Sequence, residues 1–304
     1  MKFTGIHSRC DWLGPSWEFI MGAIIGARAS DTAAVAQHYG SAGIAGRILA
    51  AFRAVNAPDA PVTPQSLAPF DHFHGRGVIA TEEIAARLAP QPGERILDIG
   101  SGIGGPARWF AAKFGVQVTG IDLTPEFCGA AEELNAITGL ADRVHIIQGS
   151  ALALPVPDAA FDAAYSQNVI MNIADKPLFY REAFRVLRPG GRLALSNLCA
   201  GPGGEPYFPV PWATTRDTSF LATPESMRAD LLAAGFEIAG FRDITAAMRA
   251  AQHRIREQIS NGSMPRIAVD IIMGERASQM QLNSIRTIED GRGIAIEALV
   301  WKPR

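Results

Sequence analysis

The residues best suited to chemistry sit in one short run, Leu97-Asp-Ile-Gly-Ser-Gly-Ile-Gly-Gly105. Gly100, Gly102 and Gly104 follow an apolar strand and precede a helix, so a ligand can approach the backbone there at a tight turn. The same letters satisfy a GxGxxG pattern through Gly105, which keeps a dinucleotide site in competition. Asp98 separates the two readings. A carboxylate beside the loop would repel the pyrophosphate of NAD in a poorly solvated cleft. It suits a cationic ligand such as S-adenosylmethionine, which carries an ammonium and a sulfonium and no phosphate. Asp122 ends the next strand, where a carboxylate can take both ribose hydroxyls of either cofactor. Its competing role, capping the following helix, passes to Thr124 ahead of Pro125.

A second set of groups could serve the reacting partner. In Asp71-His-Phe-His-Gly75, His74 is the candidate general base, since a histidine pKa can sit close to the working pH. The plainer reading has His72 and His74 bonding backbone or lining a pocket. As metal ligands the two lack companions, so no metal site is expected. Gln167-Asn-Val-Ile-Met-Asn172 follows a strand; its three amides suit a neutral or zwitterionic group, with Asn168, Met171 and Asn172 as acceptor contacts. Asn172 could instead cap the helix that begins near Asp175. Tyr39 could close over the site from the N-terminal helices. Tyr207-Phe-Pro-Val-Pro-Trp212 reads as a rigid cap before it reads as a cation cage, with Trp212 its candidate contact. Met248 to Met280 reads as helical cover whose Met and Ile residues belong to the core.

These groups need a scaffold, and the pattern supplies one. Short β-rich runs at Arg95–Ile99, Val116–Ile121, Val144–Ile147, Phe161–Tyr165 and Gly191–Ser196 alternate with helical runs at Ala107–Phe114, Pro125–Thr138 and Lys176–Leu187. Such alternation means βαβ units and a parallel sheet covered on both faces. The last helix is expected to stop at Arg188-Pro-Gly-Gly191. Residues 1–75 read as a helical cap broken by Ala57-Pro-Asp-Ala-Pro-Val-Thr-Pro64. Residues 76–304 read as the nucleotide-type domain, with an insertion at about 201–222 and helical cover at about 245–290.

Five segments in order resemble the class I S-adenosylmethionine-dependent methyltransferases, in their small-molecule branch, which methylates amino acids, sterols, tocopherols, quinones and terpenoids. They are Leu97–Gly105, Gly120-Ile-Asp-Leu123, Gln148-Gly-Ser-Ala-Leu-Ala-Leu-Pro155, Phe161-Asp-Ala-Ala-Tyr-Ser-Gln167 and Glu182-Ala-Phe-Arg-Val-Leu-Arg-Pro-Gly-Gly-Arg-Leu193. The resemblance spans about residues 72–245. It implies a Rossmann-like α/β fold whose seven-stranded, mostly parallel sheet ends in an antiparallel hairpin, here Phe236–Ile244 and Gly293–Trp301. It also implies that Asp98, Gly100, Ser101 and Gly102 cradle the methionine part of S-adenosyl-L-methionine, with Gly104 in the same loop. Asp122 would bind the ribose, Leu123 would lie on the adenine, and Ser150 and Ala151 would meet its edge. Gln167 would close the pocket. Many relatives carry Asp where this chain has Ser150. The implied activity is methyl transfer to a small molecule, with nitrogen or carbon favoured as the target. An oxidoreductase using NAD, and a protein of this fold with another activity, stay open as alternatives.

Composition bounds the rest. The 304 residues are 48% hydrophobic and 19% charged, with a formal net charge of -2. That argues against disorder and against holding nucleic acid by its phosphates. Cys10, Cys128 and Cys199 are an odd, scattered set, which points to reduced thiols and a cytoplasmic setting over a disulfide framework. No apolar run reaches the roughly 18–20 residues of a membrane span. Phe19–Ala27 mimics a signal-peptide core, but Asp11 and Glu18 cancel Lys2 and Arg9 ahead of it; a packed helix is expected instead. That apolar stretch could also meet a second subunit in a homo-oligomer.

Overall fold

The computed structural model describes residues 29–40, 43–260 and 268–304. The readings of Phe19–Ala27 and Cys10 lie outside them. Seven strands form one sheet: β1 (Arg95–Ile99), β2 (Gln117–Asp122), β3 (Val144–Gln148), β4 (Phe161–Gln167), β5 (Leu187–Ala200), β6 (Glu237–Asp243) and β7 (Gly293–Trp301). Their order is β3-β2-β1-β4-β5-β7-β6. The first five run parallel, and β7 inserts antiparallel between β5 and β6. The expected fold and its terminal hairpin are both present.

Neighbouring residues on the central strands serve opposite layers, because a parallel sheet is buried on both faces. Leu97, Ile99 and Leu195 pack with Phe179, Tyr180 and Val186 of α7 (Lys176–Val186) and with Met227 and Leu231 of α8 (Pro224–Ala233). Ile96, Val118 and Tyr165 face the other way, onto Ile84 and Leu88 of α4 (Gly77–Leu88) and Phe110 of α5 (Gly105–Phe114). The remaining crossover, α6 (Pro125–Ile137), packs on α2 (Ile44–Val55).

One boundary differs from the pattern. Helix α7 ends at Val186, and Arg188-Pro-Gly-Gly191 lies inside the start of β5. Leu187 pairs with Phe161, and the register shifts between Phe161 and Ala163, so the glycines absorb a bulge rather than end a helix. Gly190, at φ 76°, takes a conformation in which glycine costs least.

Helices α1 (Ala29–Tyr39), α2 and α3 (Pro64–Asp71) form the N-terminal layer. The proline-rich break ends in a capping box, Thr63 with Ser66, which starts α3. Ile48, Phe52, Leu67 and Phe70 from this layer close over Phe127 and Leu134 of α6. They also pack on Ile271 and Ile272 of α10 (Ala268–Met273). Helices α9 (Thr245–Ser260) and α11 (Ala277–Glu289) complete the cover.

The 201–222 segment is pinned rather than loose. The indole N–H of Trp212 donates to Ser219 Oγ at 3.0 Å, and His38 reaches Thr214 Oγ1 and the Pro211 carbonyl from α1. Among the described residues no helix is long and apolar enough to cross a membrane.

Candidate functional site

Strand order reverses between β1 and β4, and ligands in open α/β sheets bind at the carboxyl ends of strands at such a switch point. A cavity of about 1060 Å³ opens there, lined by residues of the glycine loop, the ends of β2 and β4, α3, α9 and α11. Gly100 has φ 80°, and its N–H bonds the Ile121 carbonyl at 2.8 Å. A Cβ on Gly100 would sit 2.2 Å from Val169 Cγ2. Gly100→Ala is therefore expected to cost about 1–3 kcal/mol in thermal unfolding, from backbone strain plus overpacking. Gly102, at φ 54°, donates its N–H to Asp122 Oδ2 at 2.7 Å.

Gly104 departs from expectation. It does not line the cavity; a Cβ there would lie 2.9 Å from Arg108 Nη1, and its φ of 75° sets the start of α5. Its positive φ and the closeness of Arg108 and of Ala131 Cβ, at 3.2 Å, tie this glycine to the packing at the start of α5.

Asp98 is 2% exposed, lines the cavity, and accepts a hydrogen bond from the Tyr165 hydroxyl at 2.8 Å. Burial pushes its carboxyl up to about 8, with Asp122 adding to the rise and the Tyr165 bond opposing it. Among the described residues no cation contributes to its ionisation, so the site holds an acid that a cationic ligand would ionise. Asp122 also lines the cavity and is raised by burial, against the pull of backbone N–H donors at Thr124 and Gly102. Its Oδ1 takes the Thr124 N–H at 2.9 Å, while the Thr124 side chain makes no cap to α6. The assignment of that cap to Thr124 is thus corrected. Lone pairs on both Asp122 oxygens still leave room for hydroxyl donors.

Leu123, Ser150 and Ala151 line the same cavity. Ser150 Oγ accepts from the Leu152 N–H at 3.2 Å, which shapes the turn after β3. Gln167 lines the cavity from the end of β4; its Nε2 is buried without a partner, as are Ser101 Oγ, His72 Nε2 and His74 Nδ1. Native interiors rarely leave such atoms unsatisfied, and here they gather on the wall of one cavity.

The two histidines trade roles. Burial, then His72 and then Arg76 nearby, push His74 down to about 3. Its Nε2 lies 3.3 Å from Thr81 Oγ1. A group so weakly basic is a poor general base, so the expectation that His74 titrates near the working pH is corrected. His72 instead donates Nδ1–H to Asp71 Oδ1 at 2.9 Å, leaving Nε2 free. Burial alone would raise Asp71, but Arg108, bonded to its Oδ2 at 2.8 Å, and His72 hold it below the usual range. Arg108 is itself fully buried and also bonds the Ile103 carbonyl and Asn135 Oδ1.

The amides after β4 divide. Asn168 and Met171 line the cavity, with Asn168 at φ 55°. Asn172 is spent on the protein: its Oδ1 accepts from the Tyr39 hydroxyl at 3.1 Å, and its Nδ2 donates to the carbonyls of Trp212 and Thr218. It does not cap α7, whose cap is Asp175. Tyr39 and Trp212 both line the cavity, so Asn172 ties the N-terminal layer and the insertion together over it.

The larger miss is the far wall. Met248, Ala251, Gln252, Ile255 and Val269 line the cavity, although Met248 to Met280 reads as core, and Gln281, Ser284, Ile285 and Ile288 just beyond that stretch join them. Its helical periodicity is the same for a core and for a pocket wall. Tyr165 was also missed, yet it sits beside Asp98 in register across β1 and β4. Among the described residues no group of three or more His, Cys, Asp or Glu could hold a metal ion.

Comparison with known proteins agrees with this layout. A methyltransferase-domain family profile matches residues 97–195, from β1 into β5. Phosphoethanolamine N-methyltransferase 1 of Arabidopsis thaliana is 36% identical over 126 residues, 41% of this chain and 25% of that protein. O-methyltransferase resE of Aspergillus sclerotiorum is 33% identical over 174 residues, 56% of this chain and 64% of its own. The chain thus spans between a quarter and two thirds of these relatives. Geranyl diphosphate C-methyltransferase from Streptomyces coelicolor A3(2), solved with S-adenosyl-L-homocysteine, superposes with a TM-score of 0.66. That match covers 90% of this chain and 98% of the other at 16% identity, a likeness of fold. The stretch that carries the glycine loop and both acids, residues 97–195, is thus similar to the methyltransferase-domain family.

Proposed function

We propose that the cavity binds S-adenosyl-L-methionine across the carboxyl ends of β1, β2 and β4 and that the chain transfers its methyl group to a small molecule. The observation that carries this reading is Asp98: a buried carboxyl beside the glycine loop, pushed up to about 8, with a hydroxyl as its partner and, among the described residues, no cation. When bound, the cofactor supplies a methyl group on a sulfonium that is already a good leaving group. Asp98 holds the ammonium, Asp122 the ribose hydroxyls, and Leu123, Ser150 and Ala151 the adenine, while Gln167 and Ser101 offer unpartnered polar atoms. Helices α1, α2 and α3 and the segment at about 201–222 act as the cap that excludes water, tied by Asn172. Alignment of this kind supplies roughly 7–11 kcal/mol of a barrier.

Nitrogen and carbon are the favoured targets. An acceptor that must lose a proton needs a base, and His72, oriented through Nδ1 by Asp71 with Nε2 free, replaces His74 in that role. His72→Gln is expected to lower kcat for a hydroxyl acceptor and to spare a neutral amine acceptor, which attacks through its own lone pair. Equal loss on both would show that His72 only shapes the pocket. The buried free thiols of Cys128 and Cys199 suit a reducing, cytoplasmic setting.

The binding claim is tested by calorimetric titration with S-adenosylhomocysteine and, separately, NADH. Saturable binding of the first alone supports it. Binding of NADH alone would return the glycine loop to a dinucleotide and overturn it.

A further inference from the structure

The cavity that Asp98 lines has more wall than a cofactor site on β1, β2 and β4 accounts for. Its other side is built by α9 and α11 with Leu198 and Phe220, and it is apolar: Met248, Ile255, Ile285 and Ile288 all face it. Four polar side chains interrupt that surface, Gln252, Arg254, Gln281 and Ser284, and of these Gln252 and Gln281 are buried. Gln252 is 7% exposed and Gln281 6%, both line the cavity, and the Oε1 of each is buried without a hydrogen-bond donor. The Gln281 amide N–H is committed, to Asp270 Oδ1 at 3.3 Å, which orients the group and leaves its carbonyl unsatisfied. A buried acceptor lacking a donor is costly, and two on one apolar wall are a recognition pattern for donors.

The charges on the wall decide what else could bind. Arg76 is held by Glu83 and Glu297, and Arg254 is exposed to solvent. The Asp175 carboxylate caps α7. Holding a phosphate in a desolvated pocket calls for a buried cation that is not already paired. Neither arginine on this wall meets that description.

We infer that the methyl acceptor is a neutral, largely apolar molecule carrying at least one O–H or N–H, and that Gln252 and Gln281 select it by accepting those hydrogens. Calling this molecule the acceptor rests on the methyl-transfer reading; its chemistry rests on α9 and α11 alone. A site built to receive a donor rejects the analogue that lacks one, because its own polar groups are then left unpaired.

The test is binding to the S-adenosylhomocysteine-loaded protein, measured by calorimetry, with 2-naphthol and estradiol against their methyl ethers. Phosphoethanolamine and geranyl diphosphate form the charged arms. The alcohols are expected to bind about tenfold more tightly than their ethers, one lost hydrogen bond. The Gln252→Leu, Gln281→Leu double variant should erase that preference while keeping its affinity for S-adenosylhomocysteine. If the double variant loses that affinity, Gln252→Met and Gln281→Met replace it singly. The inference is overturned by equal binding of alcohols and ethers, by a preference that survives the variants, by no binding of either alcohol, or by tighter binding of a phosphate-bearing probe. Failure of S-adenosylhomocysteine to bind while the alcohols still depend on both glutamines would instead sink the methyl-transfer reading and leave this one standing.

Discussion

Asp98→Asn is expected to weaken S-adenosylhomocysteine binding by roughly 10²-fold or more, the scale set by removing one partner of a buried charge pair. The size follows from where the carboxyl sits. It is buried, it accepts a hydrogen bond from Tyr165, and it is pushed up to about 8 before any ligand arrives. A ligand ammonium must therefore bind the ionised form of a group that is mostly protonated at neutral pH. Wild-type affinity should rise by close to tenfold per pH unit well below 8 and level off near it, whereas the asparagine variant should be weak and flat. The stability effect has the opposite sign. A folded-state value above the unfolded 3.8 means the ligand-free fold loses stability as pH climbs through about 8. Asparagine removes that loss, so the variant should melt no lower than wild type. A variant that binds normally, or a wild-type affinity independent of pH from 6 to 8, would remove Asp98 from the cofactor's ammonium.

The second large effect is on the fold. Glu297 lies in β7, fully buried, and takes Arg76 at 3.1 Å, Arg87 at 2.9 Å and Arg242 at 2.7 Å. These arginines come from the approach to α4, from α4 and from β6, so one carboxylate joins the helical layer to the antiparallel edge of the sheet. Glu297→Gln removes the one buried carboxylate that three guanidiniums share; Arg76 keeps Glu83, so the cost is expected at the lower end of the range for breaking a buried pair, about 3 kcal/mol. At about 2–4 °C per kcal/mol for a domain of this size, the melting point should fall by about 10 °C. Arg242→Gln is the control: its side chain is 46% exposed, so its loss should cost under about 1 kcal/mol. Denaturant unfolding of both variants reads this directly. A Glu297 change no larger than the Arg242 one would mean that the network is a surface decoration of a fold held by its apolar layers.

How much of this was legible in the chain depends on the range of the interaction. The sheet was, because alternation along a strand and the turn residues between elements are local. That Asp98, Gly100, Gly102 and Asp122 would meet at one cavity was, because the loop's pattern is written within a few residues. Glu297 was not: an acid amid Ile296 and Ala298 reads as an interruption until Arg76, Arg87 and Arg242 are brought to it from far along the chain. Asn172 was half legible. Its amide type fits a pocket, but its partners Tyr39, Trp212 and Thr218 are long-range and satisfy it first. His74 failed for a related reason, since sequence shows a histidine and not the burial that strips its basicity. Gly104 looked like its neighbours in the loop, and only the position of Arg108 sets it apart from the glycines that line the cavity. The wall formed by α9 and α11 was illegible because an apolar helix face carries the same pattern whether it meets a core or a guest.

A crystal structure of the protein with S-adenosylhomocysteine tests the central claim most directly. The account predicts its amino group against Asp98, its ribose hydroxyls on Asp122, and its adenine among Leu123, Ser150 and Ala151. Density for the ligand on the wall of α9 and α11, with Asp98 still bonded to Tyr165 alone, would contradict it.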